Sequence, residues 1–599
     1  MKERTHAQYS FVFVCQPGEL EVKSMLLAAS LRFHLGFDIE LVAAIPPFTE
    51  QEDTLRSDTL ILIDELAIRT ERIENRISKD YPIGNKVACL GIHTHAETIV
   101  FLDSDILCLK KLPPSILSGP VSLKPADLHT ASRSIDDWKH IYSLFGLPLP
   151  KRRVVATVSG ETMVPYFNAG VVAVSNGLDL YSAWENCCCQ INSDPSVTNK
   201  YPHLDQLALP VAIEQLNVNF HSLSEQMNYP AHLKLISDTL PVFCHYHWPT
   251  IIRREAVLNH LILVLAQKYA PLNNLIATAS QDWQKLLNPS KLVDHYVTIK
   301  NRKINFGLSR VRQNQKHRRN PIYPDLLITG IPRSGTSLLC RLLHESPDTV
   351  IINEPMEIFE PLTYGDWPSW MASYYRELRI KILDGVEIEN KVVDGQVTED
   401  TREADQRVMY QPSVHRPDFV LGTKNTLAYL ARLSLLRNAM PNAPIVACIR
   451  NPFDTIASWK TSFPHLQKVD LSAFPVAYTD NRFLTGIEKN RLAEIINCEE
   501  IPIKHALLWR HMAEIIRENN DRLSVVRYED LIEKPGVEIK NIATELGDSR
   551  LLKTGKHTLV PRSKRDVLDQ IDIHAINDIC GEVMQFFGYD TQWRSALTD

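Results

Sequence analysis

A loop between an apolar strand and a helix carries the clearest chemistry in this chain. Residues 324–339 read PDLLITGIPRSGTSLL, in which an apolar run ends at Gly330, a short loop runs to Gly335, and leucines follow at helical spacing. In such a loop the free backbone N–H groups and the positive end of the helix converge on one point. The sequence therefore predicts a phosphate-binding loop after residue 330.

The cation of this loop is displaced from its usual place. Gly330 and Gly335 have the spacing of the P-loop pattern G-x-x-x-x-G-K-[ST], but Thr336 stands where that pattern has its lysine. Enzymes that cleave ATP or GTP use that lysine on the β and γ phosphates. Here the cation is Arg333, inside the loop. A turn without a ligand, and a P-loop kinase or nucleotide-binding switch, remain alternatives at this stage.

A second phosphate-binding element follows about one hundred residues later. Residues 443–449 form an apolar strand that runs into Arg450, and Ser458 lies eight positions further on, two turns into a predicted helix. A planar guanidinium can grip a phosphate group with two parallel hydrogen bonds. The loop arginine and this Arg/Ser pair resemble the two phosphate-binding motifs of sulfotransferases that use 3′-phosphoadenosine 5′-phosphosulfate (PAPS).

Further motifs sharpen the resemblance. The second half of the chain, roughly residues 325–589, resembles the tyrosylprotein sulfotransferases and their bacterial relatives. The motifs that carry this resemblance are residues 330–337, 352–355 and 440–443, together with Lys424. Residues 364–416 have no match. The resemblance implies that Glu354 is the general base, that Lys424 lies near the reacting sulfonyl group, and that Arg333 stabilises the leaving phosphate. It also implies a set of PAPS-binding residues: Arg333, Ser334, Gly335, Thr336, Ser337, Arg450 and Ser458. A carboxylate that caps a neighbouring helix is the alternative for Glu354.

The amino-terminal half contains a different cluster of acids. An apolar strand at residues 97–102 ends at Asp103, and Asp105 follows one residue later. Two carboxylates at this spacing offer the hard oxygen ligands that Mn²⁺ or Mg²⁺ takes while it also binds a nucleotide diphosphate. Acidic residues at the end of a strand are also common in solvated turns. The predicted elements around Asp103 and Asp105 are therefore needed to distinguish a metal site from such a turn.

Those elements predict a nucleotide-binding sheet. Strands are predicted at residues 9–14 and 39–44, with a helix at 22–35 between them, and residues 168–170 are predicted as an Asn-Ala-Gly turn before another strand. The order resembles the GT-A glycosyltransferases, in the group of glycogenin and the sugar transferases of bacterial lipopolysaccharide. The resemblance implies a UDP-linked sugar donor and a metal held by Asp103, Asp105 and His245, with His247 as the alternative histidine. It implies that Lys86 contacts the diphosphate and that four residues contact donor sugar or acceptor: Asn168, Gly170, Asp205 and Gln206.

Length and composition agree with two α/β domains. The chain has 599 residues, of which 44% are hydrophobic and 23% are charged, as in globular proteins. We expect a GT-A domain with a Rossmann-like, nucleotide-diphospho-sugar transferase fold at residues 1–270. A helical and basic linker is predicted at 271–322, and a P-loop-type parallel-sheet sulfotransferase domain at 323–599. The net charge of −6 argues against a nucleic-acid binder, which would carry a basic excess.

The sequence also bears on cellular location. No apolar run reaches the ~18 residues of a spanning helix, residues 1–6 lead directly into the first strand, and the eleven cysteines lack repeated C-x-x-C spacing. We therefore expect a cytoplasmic protein of a bacterium. The strongly basic stretch from Lys300 to Arg319 is either a solvated linker or a patch for peripheral contact with anionic lipids or an anionic acceptor.

These expectations combine into one function. The first domain transfers a sugar from a nucleotide sugar, and the second transfers a sulfonyl group from PAPS to a hydroxyl of a carbohydrate or glycolipid. The fusion suggests that both act on one product. The rival possibility pairs a C-terminal kinase or nucleotide-binding domain with a non-catalytic N-terminal module that binds glycans through a degenerate metal site.

Overall fold

The structure is a computed structural model that describes residues 7–47, 54–113, 116–117, 119–128, 133–237, 239–298, 322–358, 367–398, 407–471, 484–553 and 559–592. The chain divides into two compact units, residues 1–321 and 322–599. Both units are of the α/β class, as predicted.

The first unit is built on two sheets. Its strands are β1 Tyr9–Val14, β2 Glu40–Ile45, β3 Ile68–Arg72, β4 Thr98–Leu102, β5 Ile106–Cys108, β6 Val121–Pro125, β7 Val154–Val155, β8 Thr162–Met163, β9 Phe167–Ser175, β10 Phe220–Ser222, β11 Tyr229–Pro230 and β12 Phe243–His245. A seven-stranded sheet has the order β10-β6-β9-β4-β1-β2-β3, and a three-stranded sheet has the order β11-β12-β5. Strand β9 runs antiparallel to both of its neighbours, β4 and β6.

Helices cover the larger sheet of this unit. They are α1 Glu19–Leu35, α2 Ser57–Glu65, α3 Asn85–Cys89, α4 Ile135–Ser143, α5 Leu180–Ser193, α6 Leu204–Gln215, α7 Pro249–Arg254, α8 Ala256–Lys268, α9 Ala270–Ala277 and α10 Gln281–Gln284. Every residue of strands β1 and β4 is buried, which explains their almost entirely apolar sequences. Their carboxyl ends place the Asp103 turn at one edge of the sheet.

One local prediction in this unit is wrong. Residues 168–170 do not form a turn, because Asn168, Ala169 and Gly170 lie inside strand β9. The pairing of β6 with β9 shifts register between Leu123 and Lys124, next to this segment. The Asn-Ala-Gly sequence therefore marks an irregular stretch of strand rather than a chain reversal.

The region predicted to begin the linker is helical and packed in the described residues. Helix α9 buries Leu272, Leu275 and Ile276, and Trp283 of α10 is also fully buried. The basic stretch from Lys300 to Arg319 lies outside the described residues. No helix in the described parts of the chain combines the length and apolar character needed to cross a bilayer.

The second unit is built on one parallel sheet. Its strands are β13 Asp325–Gly330, β14 Thr349–Asn353, β15 Ile388–Asn390, β16 Val392–Val393, β17 Gln396–Val397, β18 Val408–Tyr410, β19 Val420–Lys424, β20 Ile445–Ile449 and β21 Ser524–Arg527. The five-stranded sheet has the order β14-β19-β13-β20-β21, and every pairing in it is parallel. Strands β15 to β18 form two small antiparallel pairs.

The helices of this unit are α11 Thr336–His344, α12 Trp367–Leu383, α13 Leu427–Leu430, α14 Leu433–Ala439, α15 Pro452–Lys460, α16 Pro464–Gln467, α17 Gly486–Asn497, α18 Ile501–Glu518, α19 Tyr528–Glu533, α20 Pro535–Leu546 and α21 Gln570–Phe586. In a parallel sheet the carboxyl ends of the strands share one edge, where ligands bind. Residues that follow β13, β14, β19 and β20 are therefore brought to the same edge.

Gly330, the last residue of β13, allows the backbone at the start of the phosphate loop to pass close to Cys448 of the neighbouring strand β20. Its φ is +146°, and a Cβ at this position would lie 2.2 Å from the carbonyl oxygen of Cys448. We expect Gly330→Ala to destabilise the second unit by roughly 3 kcal/mol or more, because backbone strain and overpacking each cost about 1–3 kcal/mol. Chemical denaturation of the full chain measures this loss.

Gly536→Ala is the matched control for this substitution. Gly536 lies in helix α20, and a Cβ there meets nothing within 4 Å. A helical Gly→Ala change at an open site is expected to be neutral or stabilising by up to about 1 kcal/mol. Equal denaturation midpoints for the two variants would contradict the close approach of the Gly330 backbone to Cys448.

Candidate functional sites

The phosphate loop of the second unit is fixed by its own polar groups. Arg333 has a left-handed backbone with φ +71°, and Gly335 follows with φ +87°. The Ser334 hydroxyl donates to the carbonyls of Ile331 at 2.5 Å and Cys448 at 2.9 Å, and the side chain is fully buried. Ser334 therefore shapes the loop through its hydroxyl group, whereas Arg333, Gly335, Thr336 and Ser337 line the start of helix α11.

The two predicted phosphate elements are joined directly. Arg333 Nε donates to Ser458 Oγ at 3.2 Å, and Arg450 Nη1 lies 3.4 Å from the carbonyl oxygen of Arg333. The next residue, Trp459, is fully buried and donates from Nε1 to the carbonyl oxygen of Pro332 at 2.9 Å. Helix α15 thus holds the loop, and three residues predicted from two distant segments form one cluster.

Arg450 is held rigidly at the end of β20. Its guanidinium lies 4.2 Å from the ring centroid of Tyr528, and its Nη2 donates to the carbonyl oxygen of Arg562. The Tyr528 ring also packs where a Cβ on Gly335 would stand, at 2.6 Å. The residues after β20 and β21 therefore form one wall beside the phosphate loop.

A further basic segment at this wall was missed from the sequence. Residues 562–565 read RSKR, and they lie against helix α15. Ser563 Oγ donates to Asp454 Oδ1 at 2.7 Å, and Arg565 Nη2 donates to Asp454 Oδ2 at 2.6 Å. The run of basic residues is visible in the sequence, but its place beside Arg450 is not, because it lies more than one hundred residues later in the chain and only the fold brings the two together.

Glu354 lies between two lysines just after strand β14. Lys424 Nζ donates to Oε1 at 2.6 Å, and Lys391 Nζ donates to Oε2 at 2.7 Å. The charge of Lys424 is the main cause that holds the pKa of Glu354 far below its ordinary value; burial opposes this, and Lys391 adds to it. The carboxylate is therefore ionised at neutral pH, and both of its oxygens are engaged.

The backbone of Glu354 is fixed as firmly as its side chain. Its φ is +54°, its N–H donates to the carbonyl oxygen of Lys424 at 2.9 Å, and its own carbonyl accepts from Arg407 Nη1 at 2.6 Å. Lys424 Nζ is also 3.4 Å from Ser337 Oγ, at the start of helix α11. Lys424 therefore connects the carboxylate to the phosphate loop.

The predicted metal ligands of the first unit also converge. His245 Nε2 is 2.9 Å from Asp105 Oδ1 and 4.0 Å from Asp103 Oδ2, and His247 Nδ1 is 3.5 Å from Asp105 Oδ2. Single donor atoms of Asp105, His245 and His247 all lie within 4.8 Å of one another. The two imidazole rings stack at 4.0 Å. Both candidate histidines thus face the same carboxylate.

The charged groups in this cluster shift one another's pKa values. Burial opposes the charge on His245, but Asp105 and Asp103 outweigh it and raise the pKa of His245. Burial also opposes the charge on Asp105, yet His245 holds the pKa of that carboxyl well below its ordinary value. The pKa of His247 is lowered by burial and by the charge of His245. A divalent cation bound between them would take the place of the positive charge of protonated His245 beside Asp105.

This donor set fits a divalent metal. Carboxylate oxygens suit Mn²⁺ and Mg²⁺, and imidazole nitrogen is accepted by transition metals but poorly by Mg²⁺. Gly170 makes room for the ring, because a Cβ there would lie 3.0 Å from Nδ1 and Cε1 of His245. Asp103 N–H donates to the Gly170 carbonyl at 2.8 Å, so strand β9 also fixes the first aspartate.

Lys86 and Asp205 form a buried pair beside this cluster. Lys86 Nζ lies 3.3 Å from Asp103 Oδ1 and 3.2 Å from Asp205 Oδ2. The other oxygen of Asp205 accepts from the Tyr81 hydroxyl at 2.7 Å, and Asp205 is only 1% exposed. Despite burial, the charges of Asp103 and Asp205 raise the pKa of Lys86. Asp205 therefore orients Lys86, and Lys86 remains the cation next to the acidic turn.

Asn168 belongs to a separate polar network. Its Nδ2 donates to Asp127 Oδ2 at 2.9 Å, and its Oδ1 accepts from the Gly170 N–H at 3.0 Å and from Asn228 Nδ2 at 3.1 Å. Gln206 Nε2 is 3.4 Å from His203 Nδ1 at the start of helix α6. Asp127 was missed from the sequence because a single acid after a strand carries no motif.

Both units match known protein families. Residues 11–217 match the Rhodobacterales glycosyltransferase domain, and residues 324–549 match the sulfotransferase family. The nodulation protein NoeE of Sinorhizobium fredii is 25% identical over 231 residues, which cover 37% of this chain and 49% of that protein. The chain thus spans about half the length of this curated relative.

Solved glycosyltransferase structures resemble part of the chain. Galactosyltransferase LgtC in complex with donor and acceptor sugar analogs is 14% identical, with a TM-score of 0.31, and covers 46% of this chain and 100% of that chain. Mouse xyloside xylosyltransferase 1 in its apo form is 15% identical, with a TM-score of 0.26, and covers 40% of this chain and 97% of that chain.

The family matches confirm the predicted pair of domains. The first unit contains a match to a glycosyltransferase domain, and the second contains a match to the sulfotransferase family. A sulfotransferase domain implies PAPS as donor, and a glycosyltransferase domain implies a nucleotide sugar.

Proposed function

We propose that the chain is a bifunctional transferase that forms a glycosidic bond in its first unit and a sulfate ester in its second. The observation that carries the proposal is the hydrogen bond from Arg333 Nε to Ser458 Oγ, because it joins the 5′-phosphate loop to the 3′-phosphate element. A nucleotide with phosphate groups at both positions is the ligand that such a cluster fits. PAPS has this pair of groups and ATP lacks it.

In the sulfonyl transfer, Lys424 turns from Glu354 toward the anionic donor, and the released Glu354 Oε1 takes the proton of the acceptor hydroxyl while the acceptor oxygen bonds to sulfur. The bond between sulfur and the bridging 5′-phosphate oxygen breaks, and its electron pair leaves on that oxygen. The products are a sulfate ester and 3′-phosphoadenosine 5′-phosphate (PAP). Arg333 and the amide groups at the start of helix α11 stabilise the charge that develops on the leaving phosphate.

In the glycosyl transfer, Asp103, Asp105 and His245 would hold Mn²⁺ or Mg²⁺, with His247 adjacent. When bound, the metal neutralises the diphosphate of the departing nucleotide. Lys86 adds a positive charge at the same place, and Asp205 keeps that lysine oriented. Asn168, Gly170 and Gln206 would contact the donor sugar or the acceptor.

The acceptor class follows from the fusion. A sugar transferase and a sulfotransferase in one chain suit a carbohydrate or glycolipid that receives first a sugar and then a sulfate. The NoeE relative comes from a bacterium, so a bacterial setting is the expected one. The basic stretch at 300–319 is either a solvated linker or a patch for peripheral contact with an anionic surface. Full sulfation of an acceptor unrelated to the glycosylated product would contradict the sequential order.

The decisive test compares adenosine nucleotides by thermal shift on the full chain. We expect PAP to raise the unfolding temperature of the second unit, since a ligand at a hundred times its Kd stabilises by about 2.7 kcal/mol. ADP with Mg²⁺ should give a smaller shift at the same concentration. Arg450→Lys keeps the charge but loses the planar fork, so PAP affinity should fall by about ten- to a hundredfold.

Arg522→Ala is the matched control, because Arg522 is 57% exposed and pairs only with the neighbouring Asp521 among the contacts of the described residues. It should bind PAP like the wild type. Tighter binding of ATP with Mg²⁺ than of PAP would favour the kinase alternative instead. A shift by UDP with Mn²⁺ that EDTA removes would support the first unit independently.

A further inference from the structure

Lys391 lies in residues 364–416 of the second unit, which contain none of the motifs that carry the sulfotransferase resemblance. It stands between β15 and β16, in residues 388–398, and it is 4% exposed. The side chain of a lysine this deeply buried needs an anionic partner. That partner is Glu354, at 2.7 Å from Nζ to Oε2.

The two oxygens of Glu354 face different surroundings. Oε1 faces Lys424, which also reaches Ser337 Oγ at the phosphate loop. Oε2 faces Lys391, whose backbone is tied to the small strands through its N–H to Asn390 Oδ1 at 2.8 Å and its carbonyl to the Thr398 N–H at 3.1 Å. One lysine is therefore shared with the donor site, and the other is dedicated to the carboxylate.

Binding of an anionic donor changes the electrostatic attraction that holds Lys424 at Glu354 Oε1. A phosphosulfate in the loop adds negative charge near Ser337, and an ammonium group between two anions moves toward the one that is less well neutralised. Lys424 would then loosen its hold on Oε1, which becomes available for the acceptor hydroxyl. Glu354 would keep its orientation only if Oε2 stays bound.

We propose that Lys391 is a positioning residue that anchors Oε2 of Glu354, so that Oε1 is the oxygen that takes the proton. This inference rests on the proposed sulfonyl transfer and adds a residue and an atom assignment to it. Arg407 completes the support, since its guanidinium binds the Glu354 carbonyl from the same unmatched region. Lys391 and Arg407, which flank the small strands β15, β16 and β18, thus add two cations to the support of the base.

The remaining groups near the carboxylate do not compete for this role. Cys340 of helix α11 lies close enough to feel the charge of Glu354, but burial raises the pKa of its thiol to about 12. The thiol is neutral at physiological pH. Within the described residues, Lys391 is therefore the charged group that can hold Oε2 when Lys424 turns toward the donor.

A double-mutant cycle on the full chain tests the assignment. Lys391→Met should lower kcat for sulfonyl transfer by about 10- to 100-fold while the KM for PAPS changes less than about threefold, and Lys391→Arg should recover most of the rate. In a Glu354→Gln background, Lys391→Met should cost less than about twofold, because residues that act as one unit are not additive. The PAP thermal shift checks that each variant folds.

Three results would overturn the inference. An unchanged kcat in Lys391→Met would do so, as would a full additional loss in the Glu354→Gln background. A rise in the KM for PAPS that matches the loss in kcat/KM would place Lys391 in donor binding instead. Absence of transfer by the wild-type chain would overturn the proposed function itself, so the two failures are distinguishable.

Discussion

Glu354→Gln is expected to lower the rate of sulfonyl transfer by about 10²- to 10⁴-fold, the usual contribution of a positioned general base. The amide keeps the shape of the side chain but cannot accept the proton of the acceptor hydroxyl. Initial rates with PAPS and an acceptor sugar measure the loss. PAP affinity should change little, because Lys424 is the link from Glu354 to the phosphate loop among the described residues.

The substitution also leaves two lysines without their counter-charge. Removing one partner of a buried ion pair costs about 3–5 kcal/mol, and less where the carboxylate is 26% exposed, as Glu354 is. Glu354→Asp keeps the charge and shortens the reach, so it should fold better and still lose much of the rate. Glycosyl transfer by the first unit of the same chain is the internal control.

Glu357→Gln is the matched variant, since Glu357 is exposed three residues further along the chain. It should transfer at the wild-type rate. Equal loss of sulfonyl transfer and PAP binding in Glu354→Gln would remove Glu354 from the role of base and make it part of the donor site.

The sequence predicted the elements of both sites because their signals are local. Strand β1 begins and ends where the apolar run does, strand β20 ends one residue before Arg450, and helix α11 starts at Thr336 as its leucine spacing indicates. Buried parallel strands have nearly continuous apolar sequences, so the ends of these strands can be located in the sequence. Residues directly after those ends, such as Asp103 and Glu354, could therefore be placed at the correct edge.

Long-range partners could not be predicted in this way. Lys391 is 37 residues from Glu354 in the chain, and Tyr81 is 124 residues from Asp205. Neither lies in a motif, and no local periodicity indicates which acid each will meet. The Asn-Ala-Gly prediction failed for a related reason, because the chain runs on as strand β9, which pairs with β6 at Asn168 and with β4 from Val171 onward.

The hydrogen-bond partners of a residue within the fold also affect the role that its side chain can play. Ser334 has the residue type of a phosphate ligand, but its hydroxyl is used by two carbonyls of the protein. Asp205 has the type of a sugar ligand, but Lys86 and Tyr81 engage both of its oxygens. Residue type and position suggest a role, and the hydrogen bonds that a group already makes show which contacts it would have to give up to play that role.

Asp105→Asn is expected to have the second of the two largest effects, a loss of about 10²- to 10⁴-fold in glycosyl transfer. Asp105 is the carboxylate that faces both histidines, so its removal takes away the shared ligand of the candidate metal site. A metal contributes several kcal/mol of charge stabilisation at a departing diphosphate. Release of UDP from a nucleotide sugar, with and without acceptor, measures the change.

Metal exchange makes the prediction more specific. Because the site offers imidazole as well as carboxylate ligands, Mn²⁺ should support a higher rate than Mg²⁺ in the wild type. EDTA should abolish transfer, and Mn²⁺ should restore it. In Asp105→Asn the concentration of Mn²⁺ needed for half of the remaining activity should rise by about tenfold or more, as for the loss of one ligand contact.

Two controls separate a lost metal from a lost fold. Asp136→Asn changes a carboxylate that is 90% exposed and should transfer the sugar like the wild type. Sulfonyl transfer by the second unit should persist in Asp105→Asn, since that unit has its own sheet and its own site. If Asp105→Asn kept wild-type glycosyl transfer with an unchanged requirement for Mn²⁺, the metal would have to be held elsewhere, and the cluster of Asp105 with His245 and His247 would be a structural ion pair.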